Sequence, residues 1–185
     1  MRLLQIACAV VASLFIGFQA QAETQWTVDQ TESALSFEVT IGGSATNGSF
    51  EDWSAEITFD PARPEAAQVG VEVNVSSVII DAPQAQPLIS TPQWLDASGY
   101  PVARFVGRGF EEAEEGALSL PGMLSLKGID VPVELLGTIN ITGDIAVANF
   151  ATTLDRSLFS IGDDNPAVAD AIEVRITLIA MRENE

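Results

Sequence analysis

Apolar and polar residues alternate along most of this 185-residue chain. The period of two is clearest in six segments, at residues 34–41, 53–60, 69–76, 118–126, 131–141 and 171–181. This period is typical of antiparallel strands that have one buried and one hydrated face. Glycine, proline, asparagine and aspartate separate the segments at short intervals, as expected of turns. The pattern therefore predicts an all-β protein with almost no helix.

About eight such strands can bury their apolar faces either by closing into a barrel or by stacking as a sandwich. The alternation by itself leaves both architectures open. The last segment, 171–181, is so regular that it would invite pairing with other chains if it formed an open edge. Its regularity favours closure.

The alternation stops between residues 81 and 101. Four prolines, which cannot donate hydrogen bonds to a strand ladder, interrupt this segment: Pro83, Pro87, Pro92 and Pro101. Long connections are uncommon unless packing or function orders them, and Trp94, Leu95 and Tyr100 supply apolar anchors. We expect a bridging segment packed on the domain, with a short helical turn at 93–97.

The stretch from Trp94 to Phe105 (WLDASGYPVARF) resembles a signature of the YceI family of bacterial periplasmic proteins. Other stretches resemble landmarks of the same family in the same order, at 26–37, 48–61, 124–133 and 156–162. The resemblance extends over residues 24–180. It implies an extended eight-stranded antiparallel lipocalin-like β-barrel with a short helical or loop insertion near 82–101. It also implies binding of long isoprenoid chains, such as polyprenols or ubiquinone.

Residues 1–22 have the features of a secretory signal peptide. Arg2 precedes an apolar run over 3–18, and Ala20-Gln-Ala22 fits an A-x-A cleavage site. The apolar run is shorter than the ~20 residues that a membrane span needs, so stable membrane insertion is not expected. We predict cleavage after Ala22, a single barrel domain over 23–185, and a periplasmic location.

The composition of the chain excludes some classes of partner and some kinds of chemistry. The chain carries 26 acidic and 8 basic residues, so losing Arg2 changes the net charge from −18 to −19. Such an acidic protein repels phosphate backbones, and nucleic acid is not an expected partner. Cleavage would also remove Cys8, the only cysteine, so the mature domain would have no disulfide.

The usual catalytic residues are missing. The chain has no histidine, which removes the commonest general base and transition-metal ligand. Lys127 follows a predicted strand beside Gly128, where a lysine that activates a serine is hard to arrange. The acidic run at 111–115 predicts a hydrated hairpin tip, and the spacing of the aspartates at 163–170 fits a polar turn rather than a calcium loop. We expect neither an enzyme nor a metal site.

What remains is the interior of the barrel, which can be solid or can hold one small ligand. Small residues at 55, 107, 109 and 137 could leave room along the axis, although each aromatic residue by itself is more often part of a core. Because of the family resemblance we predict that these residues contact a ligand: Phe37, Val39, Phe50, Trp53, Ile57, Phe59, Trp94, Phe105, Phe150, Arg156 and Phe159. Arg156 matches an arginine of the family, but pairing with Asp155 or a carboxylate of a neighbouring strand is the preferred interpretation.

One departure from the family limits the ligand prediction. Many members carry histidines where this chain has Glu32 and residues around Ile41, so no role of those histidines applies here. The favoured hypothesis is a carrier of a polyprenol or ubiquinone-like isoprenoid, with no other cofactor. The alternative is a filled β-barrel or sandwich that acts through its outer face as an interaction module, for example as a stress-related partner of membrane redox proteins. A homodimer is a further alternative.

Overall fold

The fold is described by a computed structural model for residues 24–183. Its strands are β1 (Gln25–Val28), β2 (Ala34–Ile41), β3 (Ser44–Phe50), β4 (Trp53–Thr58), β5 (Gln68–Asn74), β6 (Val78–Ile80), β7 (Val102–Arg108), β8 (Glu111–Glu112), β9 (Leu118–Leu126), β10 (Ile129–Thr142), β11 (Ile145–Asp155) and β12 (Val168–Arg182). One α-helix, α1, spans Gln86–Ile89. Single 3₁₀ turns lie at Pro64–Ala66, Val75–Ser77, Glu114–Gly116 and Arg156–Phe159.

The sheet closes on itself. β1 pairs with both β4 and β12, which joins the antiparallel order β1-β4-β5-β7-β9-β10-β11-β12 into a ring of eight strands. β2, β3 and β6 continue this sheet from β12 at one end of the barrel. The terminal strand β12 pairs with β11 on one side and with β1 and β2 on the other, so it has no open edge. The predicted eight-stranded antiparallel barrel is confirmed.

One half of the barrel, here called the closed half, is filled with side chains. Phe110 packs between two other rings, with centroid distances of 5.3 Å to Phe59 and 5.7 Å to Phe150. These three rings form what we call the aromatic plug. The buried core around them consists of Trp26, Phe59, Ala67, Val69, Phe105, Phe110, Leu120, Leu135, Ala146, Phe150 and Ala180.

Glycines on the inner face do not leave the room along the axis that the sequence suggested. A Cβ atom on Gly107 would lie 2.8 Å from Leu120 Cγ and 2.9 Å from Phe105 Cε1. A Cβ atom on Gly137 would lie 2.7 Å from Phe150 Cδ1. The space of each missing side chain is therefore occupied by a large neighbour, and the prediction was wrong at these two positions.

The segment at 81–101 packs on the barrel, as predicted, but its helix begins earlier than expected. Pro87 lies in the first turn of α1, where a fixed φ and a missing N–H favour a helix start. The predicted turn at 93–97 is not helical. Trp94 N instead donates to Thr91 O at 2.9 Å, a turn that does not continue into a helix.

Gln86 fastens α1 to the free edge of β6. Its Oε1 accepts a hydrogen bond from Ile80 N at 2.8 Å, and its Nε2 donates to Val78 O at 2.9 Å. One side chain thus replaces the hydrogen bonds that a further strand would supply, and the edge is covered.

The acidic run at 111–115 agrees with expectation. The acidic run forms a hairpin tip, because β8 pairs with the start of β9 around the turn Glu114–Gly116. Within residues 24–183, no helix is long and apolar enough to cross a bilayer.

Candidate ligand-binding cavity

The other half of the barrel, the cavity half, contains an apolar cavity of about 360 Å³ that is open to solvent on one side. β2 and β12 form one wall with the inward residues Leu35, Phe37, Val39, Ile41, Val168, Ile172 and Val174. The segment around α1 forms another wall with Ala82, Ala85, Leu88, Ile89, Trp94 and Leu95. Leu88 is 52 % exposed although it lines the cavity, which places the mouth beside α1.

Strand pairing explains why space remains at this end. β6 pairs with β3 but not with β7, and α1 covers the resulting gap. The pairing of β10 with β11 stops at Leu136 and Ala151, although β11 continues to Asp155. The turn Arg156–Phe159 follows there and places Phe159, which is 1 % exposed, against the end of the barrel. The cavity lies behind these two covers.

Phe37 lines the wall without blocking the centre of the cavity. Its ring lies over Gly48, its partner residue on β3, at a position that a side chain on Gly48 would occupy. The ring centroid is 5.8 Å from that of Phe50. A glycine covered by a cross-strand aromatic ring keeps the ring against the sheet. The interior beside it stays open.

Arg156 is buried, with 4 % exposure, and its guanidinium is saturated. Nε donates to Ala169 O, one terminal nitrogen donates to Ile161 O and Gly162 O, and the other donates to Asn165 O and Val168 O, at 2.6–3.3 Å. Arginine has five N–H groups, and five backbone carbonyls accept them.

The charge of Arg156 is balanced by Asp170 on β12, whose Oδ1 lies 2.9 Å from the guanidinium. This carboxylate of a neighbouring strand is the kind of partner expected from the sequence, whereas Asp155 makes different bonds. Arg156 therefore holds the loop at 161–170 in place and keeps no N–H group for a ligand.

Asp155 fixes the turn that carries Arg156. Its Oδ1 accepts from Ser157 Oγ at 2.6 Å and from Ser157 N at 2.9 Å. The hydroxyl hydrogen bond, followed by the backbone one, holds the pKa of Asp155 below its usual value of 3.8. The carboxylate remains ionised and keeps capping the turn to lower pH than an ordinary aspartate would.

The segments that close this end of the barrel, at 81–101 and 156–165, are joined by hydrogen bonds and packing. Gly162 N donates to Gln93 O at 2.8 Å, and the ring of Trp94 rests against Gly162. Lys127 Nζ donates to Ser160 O at 2.6 Å. The α1 segment, the loop at 160–165 and the β9–β10 turn thus form one connected roof.

The residues that were predicted to contact a ligand fall into three groups by their position in the structure. Those lining the cavity are Phe37, Val39, Phe50, Trp94, Arg156 and Phe159. Those packed in or against the closed half are Ile57, Phe59, Phe105 and Phe150. Trp53 is half-buried and lies outside the cavity lining. Alternation along a strand indicates which side chains point inward, but not at which height along the barrel they lie.

Several lining residues were not found from the sequence. Ile172 and Val174 share the inward side of a strand that was recognised, so the same period of two could have identified them. Ala82, Ala85 and Leu88 lie in the segment without periodicity, where no local pattern marks an inward face.

Within the described part of the chain, no three aspartate, glutamate, histidine or cysteine side chains lie close enough together to hold an ion. In the acidic turn before β12, Asn165 Oδ1 accepts a hydrogen bond from Ala167 N at 3.1 Å, an ordinary turn contact.

These features define a closed eight-stranded meander of the size that can enclose a small ligand. The sequence model of the YceI-like domain family matches residues 26–180, and the chain belongs to this family. A UPF0312 protein of Pseudomonas syringae pv. tomato is 29 % identical over 143 residues, which is 74 % of each chain.

Solved structures agree with this assignment. The crystal structure of BcnA from Burkholderia cenocepacia is similar, with a TM-score of 0.78 and 26 % identity over 83 % of this chain and 99 % of that chain. A domain from Saccharophagus degradans, described as a polyisoprenoid binding domain implicated in plant cell wall breakdown, has a TM-score of 0.66 and 12 % identity. It covers 85 % of this chain and 98 % of its own, and at this identity it shows a common fold.

Proposed function

We propose that this protein is an exported carrier that holds the apolar chain of an isoprenoid lipid in the cavity half of its barrel. The observation that carries the proposal is an apolar cavity of about 360 Å³, open beside α1, in a barrel whose other half is closely filled. Membership of the YceI-like family and a shared fold with a domain described as polyisoprenoid-binding support it.

The shape of the cavity suits a chain that enters end first. Its wall on β12 runs from Val168 to Val174, roughly 20 Å of strand at about 3.3 Å per residue. A prenyl chain would enter beside Leu88 and extend toward the aromatic plug. Burial contributes about 0.8 kcal/mol per CH₂, so each five-carbon unit adds several kcal/mol before the losses of entropy on binding.

The chemistry of the lining favours binding over catalysis. Arg156 is the only ionisable residue among the lining residues, and backbone carbonyls and Asp170 occupy its guanidinium. The hydroxyl of Ser36 faces Arg175 O at 3.4 Å rather than a base. A nucleophile paired with a base, which covalent catalysis requires, is missing from this lining.

Export is part of the same proposal. The predicted signal peptide lies outside the described residues, and its support is the sequence pattern of Arg2, the apolar run and Ala20-Gln-Ala22. A carrier between membranes would need this location.

Mass spectrometry of an organic extract of the protein, purified natively from the periplasm of the host that expresses it, tests the proposal. We expect an isoprenoid in the extract. Ala85→Phe should reduce its amount because a ring would occupy cavity space, whereas Ala151→Phe, the same change at an exposed outer position, should not. An extract without isoprenoid, or equal amounts in both variants, would contradict the proposal.

The alternative of an interaction module has one observation in its favour. Val106 and Met123, which are partners on β7 and β9, are 49 % and 44 % exposed on the outer surface. An apolar pair on neighbouring strands can contribute to a protein contact, although isolated exposed apolar residues are common. An extract without isoprenoid would favour this alternative.

A further inference from the structure

We infer that the cavity selects isoprenoids with an uncharged headgroup, such as a quinone or an alcohol, over prenyl phosphates and diphosphates. The inference rests on the proposed function and specifies the ligand of the same site. It follows from the charges and hydrogen-bond donors that the headgroup would meet.

A phosphate inside the cavity would find no free cationic donor. Arg156 is the only cationic residue in the lining, and its five N–H groups are taken by backbone carbonyls. Its charge is already paired with Asp170 at 2.9 Å. A buried anion is costly unless it is paired and hydrogen-bonded, so a phosphate would be disfavoured there.

A phosphate that stays outside the mouth would meet like charges. The residues that flank the cavity segments in sequence include exposed aspartates at 81, 163 and 164. Lys127, the single lysine of the sequence, donates to Ser160 O at 2.6 Å in the roof. The whole chain has a net charge of −18, which adds long-range repulsion of an anion.

A neutral headgroup finds suitable partners. Besides Arg156, the polar residues of the lining are Ser36, Gln84 and Asn165. Gln84 is exposed on the α1 side of the mouth, and Asn165 is half-buried in the roof loop. Side-chain amides donate and accept hydrogen bonds, so they can bind a quinone carbonyl or a hydroxyl without requiring a charge.

The test compares three compounds with the same 20-carbon tail: geranylgeraniol, the corresponding benzoquinone, and geranylgeranyl monophosphate. Delipidated protein at neutral pH and about 0.15 M salt is titrated below the aggregation limit of each lipid. Each compound competes with tritiated geranylgeraniol. We expect the alcohol and the quinone to bind, and the phosphate to bind about tenfold more weakly or worse, a difference of about 1.4 kcal/mol.

Two lysine variants sharpen the comparison. Gln84→Lys places an ammonium at the mouth and should raise the affinity for the phosphate severalfold. Gln68→Lys adds the same charge at an exposed position of the closed half and should leave the ranking unchanged. Circular dichroism of both variants confirms that they are folded.

The outcomes separate the inference from the proposed function. If the phosphate binds the wild-type protein as tightly as the alcohol, the preference for neutral headgroups is refuted while the isoprenoid carrier stands. If Gln68→Lys raises phosphate affinity as much as Gln84→Lys, the discrimination reflects only net charge and the inference about the mouth fails. If none of the three compounds binds, the proposed function itself is refuted.

Discussion

A pair of identical substitutions at different heights in the barrel tests whether one half is hollow. Phe37→Asp changes the wall of the cavity, and Phe150→Asp changes the aromatic plug. Both residues lie on the inner side of regular strands, so local sequence gives no reason for different outcomes. The structure predicts a large difference.

Phe150 is 8 % exposed and packs on Phe110 at a centroid distance of 5.7 Å. Removing its ring leaves a void that costs about 3–5 kcal/mol, and an uncompensated polar group adds about 1–3 kcal/mol. The total of about 4–8 kcal/mol is comparable with the whole stability of a domain, about 5–15 kcal/mol. Phe150→Asp should be unfolded or marginally stable.

Phe37 is half-buried and borders space that already exists. Its removal costs at most the burial of one phenylalanine side chain, about 1.5–3 kcal/mol, because no new closed void forms. Water can enter the enlarged cavity and hydrate the carboxylate. Phe37→Asp should therefore stay folded and lose lipid binding.

Urea unfolding followed by far-UV circular dichroism measures both variants against the wild type. The protein is delipidated first, since a bound ligand stabilises the folded state by mass action. Equal slopes of the free energy against urea concentration would show that the same structure unfolds. If Phe37→Asp loses as much free energy of unfolding as Phe150→Asp, the cavity half is close-packed and the carrier hypothesis loses its basis.

Four further predictions concern the roof and the chain as a whole. Arg156→Met should reduce the free energy of unfolding by about 3–5 kcal/mol in urea titrations, because buried carbonyls lose their donors. Asp170→Asn, which alters the exposed partner of Arg156, should reduce it by no more than about 1 kcal/mol. Equal reductions in the two variants would argue against the carbonyl contacts. Asp155→Asn should lower the melting temperature at neutral pH, and its difference in melting temperature from the wild type should shrink as the pH falls below 3.8. The reason is that the pKa of Asp155 is lower in the folded protein, so the carboxylate stabilises the fold above pH 3.8 and this stability is lost as the pH falls through the folded-state pKa. A difference that is independent of pH between 2 and 7 would contradict this role. A chelator should leave the melting temperature of the purified protein unchanged, and a fall of several degrees would indicate calcium in the acidic turn before β12. Intact-mass measurement of the periplasmic protein should give Glu23 as the first residue, and a form retaining residues 1–22 would contradict export as a cleaved carrier.

The period of two in the sequence was sufficient to predict the fold class and the inward side of most strands. Alternation depends only on the geometry of a strand, whose successive side chains point to opposite faces. The inward positions of Phe37 and Val39 were recognised for this reason. The alternation indicated about eight strands, and the regularity of the last strand favoured closure of the sheet, but the choice of a barrel rested on the family resemblance.

Only the tertiary structure decided where the barrel is filled and where it is hollow. Phe37 and Phe150 have the same local pattern, yet Phe150 meets Phe110, which enters the barrel from the connection after β7. The height of a residue along the barrel depends on strand register, which joins residues distant in sequence. The role of Arg156 was likewise decided by five carbonyls, three from the loop before β12 and two from the start of β12, an arrangement with no period in the sequence. Alternation in the sequence predicts the local geometry of each strand, whereas the cavity results from a difference in packing between the two ends of the same sheet.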